Sequence, residues 1–185
     1  MPAVTLGVIA DTHIPDRVRA LPLAALDLFA KKQVRAILHA GDISVPRVLK
    51  QLAEVAPVYA IRGNTDLLLL GQAPWTRRLE FEGVSIGMAH GHGNWFEYIV
   101  NRIDLFIHPP KKFSYYEEKT SRQLPDCQVV VLGHNHVPAN YWLGDQMIFN
   151  PGSATRPNPV MAGLPPSIGL LHLEDGNVRG EIVFI

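Results

Sequence analysis

The first half of the chain alternates nearly continuous apolar runs with segments in which apolar residues recur at helical spacing. Unbroken apolar runs are typical of strands that are covered on both faces. The predicted strands are residues 4–10, 35–40 and 58–61, and the predicted helices between them are residues 21–32 and 46–55. This β-α-β-α-β order predicts parallel strands with helices packed outside the sheet.

The second half has shorter apolar runs separated by turn residues. Glu82-Gly83 lies between two such runs and predicts a hairpin of strands at 78–81 and 84–89. The other predicted strands of this half are residues 128–132, 139–143, 147–149, 168–173 and 178–184. We expect these strands to form a second sheet that is mainly antiparallel.

An insert of residues 94–122 separates the hairpin from the later strands. It has helical patterning, which Pro109 and Pro110 interrupt. Seven of the fifteen aromatic residues of the chain lie between positions 95 and 116. Because exposed aromatic patches are rare on monomers, this density favours either a helical cap or a subunit interface, and the second alternative would make the protein a homo-oligomer.

Composition narrows the class of protein. With 185 residues, 47% of them hydrophobic, the chain can bury a sizeable core, and we interpret residues 1–185 as a single domain. Its 17 Lys and Arg balance its 17 Asp and Glu, which argues against an extended nucleic-acid surface. A basic leader and an apolar stretch of roughly 18 residues are both lacking, so we expect a cytoplasmic protein without a membrane partner. The single Cys127 excludes a disulfide framework and a cysteine zinc site.

Side chains that can bind metals follow five of the predicted strands. The five clusters are Asp11 with His13, Asp42, Asn64 with Asp66, His90 with His92, and His134 with His136. Each cluster alone has an ordinary explanation, such as a turn, a helix cap or a structural histidine. Functional groups of α/β folds gather beyond the carboxyl ends of sheet strands, so five clusters in these positions predict a shared metal site. Asp66 is expected to orient its loop rather than to react.

The types of ligand indicate which metals fit. Carboxylate, amide oxygen and imidazole without thiolate suit Mn²⁺, Fe or Zn²⁺ better than a soft ion. Two aspartates, one asparagine and four histidines exceed the needs of one ordinary centre and suit two neighbouring centres. Two metals about 3.5–4 Å apart need a bridging anion, and Asp42 is the natural choice.

The motifs around these clusters resemble those of the calcineurin-like metallophosphoesterases. They are D-x-H at 11–13, G-D at 41–42, G-N-x-D at 63–66, H-G-H at 90–92 and G-H-x-H at 133–136. The segment NPGSATRP at 150–157 is similar to the small single-domain prokaryotic phosphodiesterases of that family. The resemblance implies an α/β fold, a four-layer αββα sandwich in which helices flank two mixed β-sheets.

The resemblance also implies two divalent metal ions, with Mn²⁺ expected first and Fe, Zn²⁺ or Ni²⁺ as alternatives. One ion would be held by Asp11, His13, Asp42 and His136, and the other by Asp42, Asn64, His90 and His134. A hydroxide that bridges the two ions would attack the phosphorus of a small phosphoester, and a phosphodiester is the expected substrate. Asp42 and Asn64 are therefore expected to be catalytic as well as metal-binding.

One position departs from the family pattern. Many relatives have a histidine after the asparagine of G-N-x-D, where it is thought to protonate the leaving group, and this chain has Thr65. Threonine cannot donate a proton near neutral pH, so His92 is the first candidate for that role, with a supporting or gating position beside His90 as the alternative. Arg17 and Arg156 are candidates to bind a phosphate oxygen, or are solvated loop residues.

Other readings of the sequence stay open. The chain could be a weakly active or inactive protein-interaction scaffold, similar to the small subunit of the retromer coat. A nuclease would need a broad basic groove, which the neutral composition does not support. All seven predicted ligand positions hold competent residues, and this favours an enzyme. His39, His108 and His172 are expected to be structural histidines.

Overall fold

The computed structural model describes residues 3–16, 18–66, 73–93 and 113–185, and these contain ten strands and three helices. The strands are β1 (Val4–Ile9), β2 (Ala36–His39), β3 (Val58–Ala60), β4 (Thr76–Phe81), β5 (Val84–Ala89), β6 (Val129–Val131), β7 (Ala139–Leu143), β8 (Gln146–Asn150), β9 (Ser167–Glu174) and β10 (Asn177–Phe184). The helices are α1 (Leu23–Lys31), α2 (Pro46–Ala53) and α3 (Phe113–Gln123). Arg17, His108 and most of the predicted insert, residues 94–112, lie outside the described residues.

The first sheet has the strand order β10-β9-β1-β2-β3. Its strands β1, β2 and β3 are parallel, with Ile9 opposite His39 and His39 opposite Ala60, which confirms the predicted β-α-β-α-β unit. Strand β9 pairs antiparallel with β1, and β10 pairs antiparallel with β9. The three parallel strands therefore end at the same edge of the sheet, shortly before the predicted ligands that follow them.

The second sheet has the strand order β4-β5-β6-β8-β7. Strand β6 is parallel to both β5 and β8, whereas the outer pairs β4–β5 and β7–β8 are antiparallel. The expectation of one mainly antiparallel sheet from the second half is therefore wrong, and β9 and β10 join the first sheet instead. The reason lies in β6: its three valines are fully buried, as in a strand covered on both faces, and α3 lies in the crossover that parallel pairing requires.

Apolar side chains fill three interfaces between these elements. Fully buried examples are Leu38 and Phe149 between the sheets, Phe29 and Leu52 between the first sheet and α1 and α2, and Leu124 and Ile148 between the second sheet and the end of α3. The order of layers confirms the predicted four-layer sandwich of two mixed sheets flanked by helices. In the described part of the chain, none of the helices has the length and apolar character needed to cross a membrane.

Two of the predicted structural histidines belong to the framework. His39 is fully buried in β2, where its Nε2 lies 3.2 Å from Thr12 Oγ1 and a backbone N–H donates to its Nδ1. Burial lowers the pKa of His39 to about 3, so the ring is neutral. His172 in β9 lies 3.1 Å from Thr5 Oγ1 and 3.0 Å from Glu181 Oε2. Both rings therefore join strands of the first sheet and its neighbouring loops.

Candidate metal centre

Loops from both sheets bring the predicted ligands together. The parallel strands of the first sheet lead into Asp11, Asp42 and Asn64, and strands β5 and β6 of the second sheet lead into His90 and His134. His134 Nδ1 lies 3.0 Å from Asn64 Oδ1, although 70 residues separate the two in the sequence. The edge where the strands of both sheets end is therefore the place where the five clusters meet.

A first group of side chains consists of Asp11, His13 and His136, whose ligand atoms converge closely enough to hold one metal ion. His136 Nε2 lies 3.4 Å from Asp11 Oδ1 and 3.2 Å from His13 Nε2. His13 Nε2 also lies 3.5 Å from Asp42 Oδ2. The four residues predicted for the first metal are therefore neighbours in the structure.

A second group is built around His90 and Asp42. His90 Nε2 lies 3.4 Å from Asp42 Oδ1 and 3.8 Å from Asp11 Oδ1, and these three residues could also hold an ion. The ring of His134, which contacts Asn64, packs against His90 with centroids 5.3 Å apart. Asp42 thus faces both groups, with Oδ2 toward the first and Oδ1 toward the second.

Backbone carbonyl groups fix the orientation of two of these histidines. Nδ1 of His90 donates to Ala40 O at 2.7 Å, and Nδ1 of His136 donates to Arg156 O at 2.6 Å. Because a carbonyl oxygen only accepts, Nδ1 carries a proton in each ring, and Nε2 is the ring atom that faces the carboxylates. Histidines that bind metals commonly have this arrangement.

Backbone amides hold the two carboxylates in place. The N–H of His134 donates to both oxygens of Asp11 at 3.2 and 3.1 Å, and the N–H of Thr65 donates to Asp42 Oδ1 at 3.0 Å. Gly63 allows the backbone to come this close, because a Cβ at that position would overlap Asp42 Oδ1. The loops therefore position the carboxylates through the main chain as well as through side chains.

Five of the ligand residues have a left-handed backbone conformation. Their φ values are 52° for Asp11, 43° for His13, 55° for Asp42, 72° for His134 and 58° for His136. This region is unfavourable for residues with a Cβ, and such strain concentrates at functional sites whose surroundings fix it. Here the N–H groups of Asp11 and His13 donate to the carbonyl groups of Gly41 and Asp42, each at 3.0 Å.

The loop after β8 supports the site, and the sequence analysis missed its role. Ser153 Oγ donates to Asp11 O at 2.7 Å, and Thr155 Oγ1 donates to Thr12 O at 2.9 Å. Both hydroxyls therefore bind the loop that carries Asp11 and His13. The available signal was the hydroxyl-rich segment directly after a predicted strand, because serine and threonine in loops readily bond to backbone groups.

Asp66 connects two of the ligand loops. It is fully buried, and its carboxylate accepts from the backbone N–H groups of Ile43 at 3.0 Å, Ser44 at 2.8 Å and Gly63 at 2.9 Å. These donors lie on the loop that carries Asp42 and on the loop that carries Asn64. The contacts agree with the expectation that Asp66 orients its loop.

The buried carboxylates and imidazoles change one another's protonation. Burial opposes ionisation of Asp42, but the neighbouring His90 and His13 hold its pKa well below its usual range. Burial raises the pKa of Asp11 to about 6, with a contribution from the charge of Asp42. Burial alone would lower the pKa of His90, but Asp42 and Asp11 raise it to about 10. The two carboxylates therefore stabilise positive charge between them.

One buried atom tests whether a cation fits this environment. His90 Nε2 is buried and has no hydrogen-bond partner among the described residues, although it faces oxygens of Asp42 and Asp11. When Nδ1 carries the only ring proton, the lone pair of Nε2 faces the lone pairs of these oxygens, and without a cation the ring takes up a second proton instead, which agrees with its raised pKa. A divalent cation bound between imidazole nitrogen and carboxylate oxygen would remove this conflict. The donor set therefore fits a metal ion.

The remaining predicted residues lie around this centre in different ways. His92 is buried, and its ring centroid lies 5.4 Å from that of His90 and 6.1 Å from that of His134. Arg156 contributes the backbone carbonyl that accepts from His136. Arg17 lies outside the described residues.

Comparisons with known proteins show which family the chain is similar to. The family model of the calcineurin-like phosphoesterase superfamily domain matches residues 4–176. A probable metallophosphoesterase from Methanothermobacter thermautotrophicus is 33% identical over 178 residues, which cover 96% of this chain and 91% of the relative. The phosphodiesterase YfcE from Escherichia coli is 28% identical over 167 residues, covering 79% of this chain and 77% of the relative.

Solved structures are also similar. Vps29 from Entamoeba histolytica, in a crystal structure complexed with Zn²⁺, matches with a TM-score of 0.70 and 25% identity over 98% of this chain and 99% of the other. A predicted phosphoesterase from Streptococcus pneumoniae shares the fold, with a TM-score of 0.66 and 20% identity over 100% of this chain and 91% of the other. Together with the site geometry, the family match over residues 4–176 establishes that the chain belongs to the calcineurin-like phosphoesterase superfamily.

Proposed function

We propose that this protein is a phosphodiesterase that depends on two divalent metal ions. The observation that carries the proposal is that seven side chains converge at one edge of the sandwich. Together they offer carboxylate, amide and imidazole atoms as metal ligands. The metallophosphoesterase and phosphodiesterase relatives support it.

Each ion would have its own ligands and would share Asp42. Asp11, His13, Asp42 and His136 would hold one ion, and Asp42, Asn64, His90 and His134 would hold the other. When bound, the two ions would supply an acidified water and positive charge beside the phosphoryl oxygens. The chain itself fixes the ligand geometry through the bonds from His90 and His136 to backbone carbonyl groups and the amide bonds to both carboxylates.

In the proposed hydrolysis, a water molecule that has lost a proton to the solvent forms the new bond from its oxygen to phosphorus, and the bond from phosphorus to the ester oxygen breaks. The departing oxygen then takes up a proton, and we propose that His92 donates it, a role that is supported by the position of its ring beside His90 and His134. Arg156 and Arg17 are proposed to bind a phosphate oxygen, although the described contact of Arg156 is through its backbone.

The reaction is proposed to occur in the cytoplasm, and the aromatic insert is proposed to join the subunits of a homo-oligomer.

Removal and return of metal should change both activity and stability. We expect a chelator to abolish hydrolysis of an activated aryl phosphodiester and Mn²⁺ to restore it, with Fe, Zn²⁺ and Ni²⁺ as the alternatives to compare. Since an ion that binds only the folded state stabilises it by RT ln(1 + [L]/Kd), a hundredfold excess over Kd adds about 2.7 kcal/mol to the free energy of unfolding. Metal analysis measures the ions that are bound, and a thermal melt with and without Mn²⁺ measures the gain in stability. A protein that retains full activity after verified metal removal would contradict the proposal.

Replacement of His92 should affect poor leaving groups most. Esters whose alcohol is weakly acidic need a proton donor, so His92→Ala should slow them about 10²-fold while slowing nitrophenyl esters much less. The measurement is kcat/KM for a series of diesters with alcohols of graded acidity. An equal loss across the series would assign His92 a supporting position instead.

A protein-interaction scaffold is the second candidate function, since the sequence left it open and the similarity to Vps29 at 25% identity is a similarity of fold and not of activity. Retention of all seven ligand residues favours the enzyme. Purified protein that binds Mn²⁺ yet hydrolyses none of a panel of phosphodiesters, phosphomonoesters and pyrophosphates would favour the scaffold.

A further inference from the structure

A cavity of ≈ 360 Å³ adjoins the candidate metal centre on the side of His90. This volume falls in the range of about 300–1,000 Å³ that is usual for small-molecule sites. Among the described residues that line the cavity are Trp75, Ala89, His90, Gly91, His92 and Gly93. Metal binding accounts for His90 and proton donation for His92, but neither accounts for the tryptophan beside them.

Two rings form one wall of this cavity. The centroids of Trp75 and His92 lie 5.4 Å apart, and Trp75 is 38% exposed. The guanidinium group of Arg62 lies 4.5 Å from the centroid of the Trp75 ring and holds that ring by a cation–π contact. Trp75 is therefore a fixed aromatic surface that remains partly open to a ligand.

The cavity adjoins the metal centre at His90, whose side chain is itself fully buried. His90 belongs to both, and its ring centroid lies 5.4 Å from that of His92. Ala89, Gly91 and Gly93, which also line the cavity, have a small side chain or none. An ester group attached to a phosphate at the metal centre would reach this cavity by extending past His90, and it would then lie against the wall of rings.

We propose that this cavity is a subsite for a planar aromatic ester group of the substrate, with Trp75 as the residue that selects it. The inference rests on the proposed phosphodiesterase function. An aromatic group gains contact with the rings of Trp75 and His92 that an aliphatic group of similar size does not match. The same placement brings the departing oxygen of an aromatic ester beside His92, so substrate selection and proton donation occur in one place.

The test compares two diesters whose leaving groups have similar acidity but different shape: para-chlorophenyl methyl phosphate and hexafluoroisopropyl methyl phosphate. Matched acidity removes the intrinsic reactivity difference, so the ratio of the two kcat/KM values reports recognition of the ring. We expect the Mn²⁺-loaded protein to prefer the aromatic ester. Trp75→Leu should lower kcat/KM for the aromatic ester about tenfold and leave the aliphatic ester within about twofold. Trp75→Phe should recover part of the loss.

Trp142→Leu is the matched control, because Trp142 is 51% exposed on the edge strand β7 of the second sheet and should leave both rates unchanged. Equal losses for both esters in the Trp75 variants, or no aromatic preference in the unaltered protein, would overturn the subsite and leave the phosphodiesterase proposal standing. Failure of the unaltered, metal-loaded protein to hydrolyse either ester would overturn both.

Discussion

Replacing Asp42 with asparagine should lower metal-dependent phosphodiester hydrolysis about a thousandfold while the fold stays intact. Asp42 is the residue whose two oxygens face different groups, with Oδ2 lying 3.5 Å from His13 Nε2 and Oδ1 lying 3.4 Å from His90 Nε2. Asparagine keeps the size of the side chain but removes the negative charge and one acceptor oxygen. Two cations could then no longer share this ligand.

The measurement is kcat/KM in Mn²⁺, together with the number of ions bound per chain and the melting temperature in chelator. We expect lost activity and a weakened second ion, with a far-ultraviolet circular dichroism spectrum like that of the unaltered protein. Asp126→Asn is the control, because Asp126 is an exposed carboxylate paired with Arg78 on the surface. Turnover of Asp42→Asn close to that of the control would remove the bridging role.

Much of this site could be predicted because its residues follow parallel strands. Once β1, β2 and β3 are parallel neighbours, the residues after them must lie at one edge of the sheet. Asp11, Asp42 and Asn64 could therefore be grouped without knowing any long-range contact. The histidines of the second sheet were predicted as ligands because they also follow strands, and the motifs of the family assigned each of them to one of the two ions.

The arrangement of the later strands could not be predicted in the same way. An alternating or continuous apolar pattern indicates burial of a strand but does not identify its neighbour. β9 pairs with β1 across more than 150 residues, and β6 lies between two parallel partners that are separated from it in the chain. Such pairings depend on the packing of the whole sandwich.

The contacts that support the metal ligands could not be predicted from the sequence either. Residues such as Asp11 and His136 have left-handed φ values, and the sequence does not indicate which of its aspartates and histidines adopt that conformation. Ser153 acts on a backbone carbonyl 142 residues away. The metal ligands can thus be predicted from the sequence, whereas the groups that hold those ligands in position are identified only from the structure.

Asp66→Asn tests how much this support contributes, and it should destabilise the protein by about 3 kcal/mol. The buried carboxylate of Asp66 accepts from three backbone N–H groups, those of Ile43, Ser44 and Gly63. In asparagine, an NH₂ group replaces one acceptor oxygen and would face a backbone donor, leaving buried N–H groups unpaired. The loops that carry Asp42 and Asn64 would lose their connection.

We expect the effect of Asp66→Asn in two measurements, one of stability and one of the Mn²⁺ dependence of activity. Urea unfolding in chelator should show a lower midpoint with an unchanged slope, because the metal-free fold is weakened but not rearranged. Titration of activity with Mn²⁺ should show a half-saturating concentration raised about 10- to 100-fold, the usual effect of removing a group that orients metal ligands. Asp126→Asn makes the same chemical change at an exposed carboxylate and should leave both quantities near those of the unaltered protein. If Asp66→Asn matched that control in both measurements, the loop connection would not contribute to the site, and the positions of Asp42 and Asn64 would have to be set by their own strands alone.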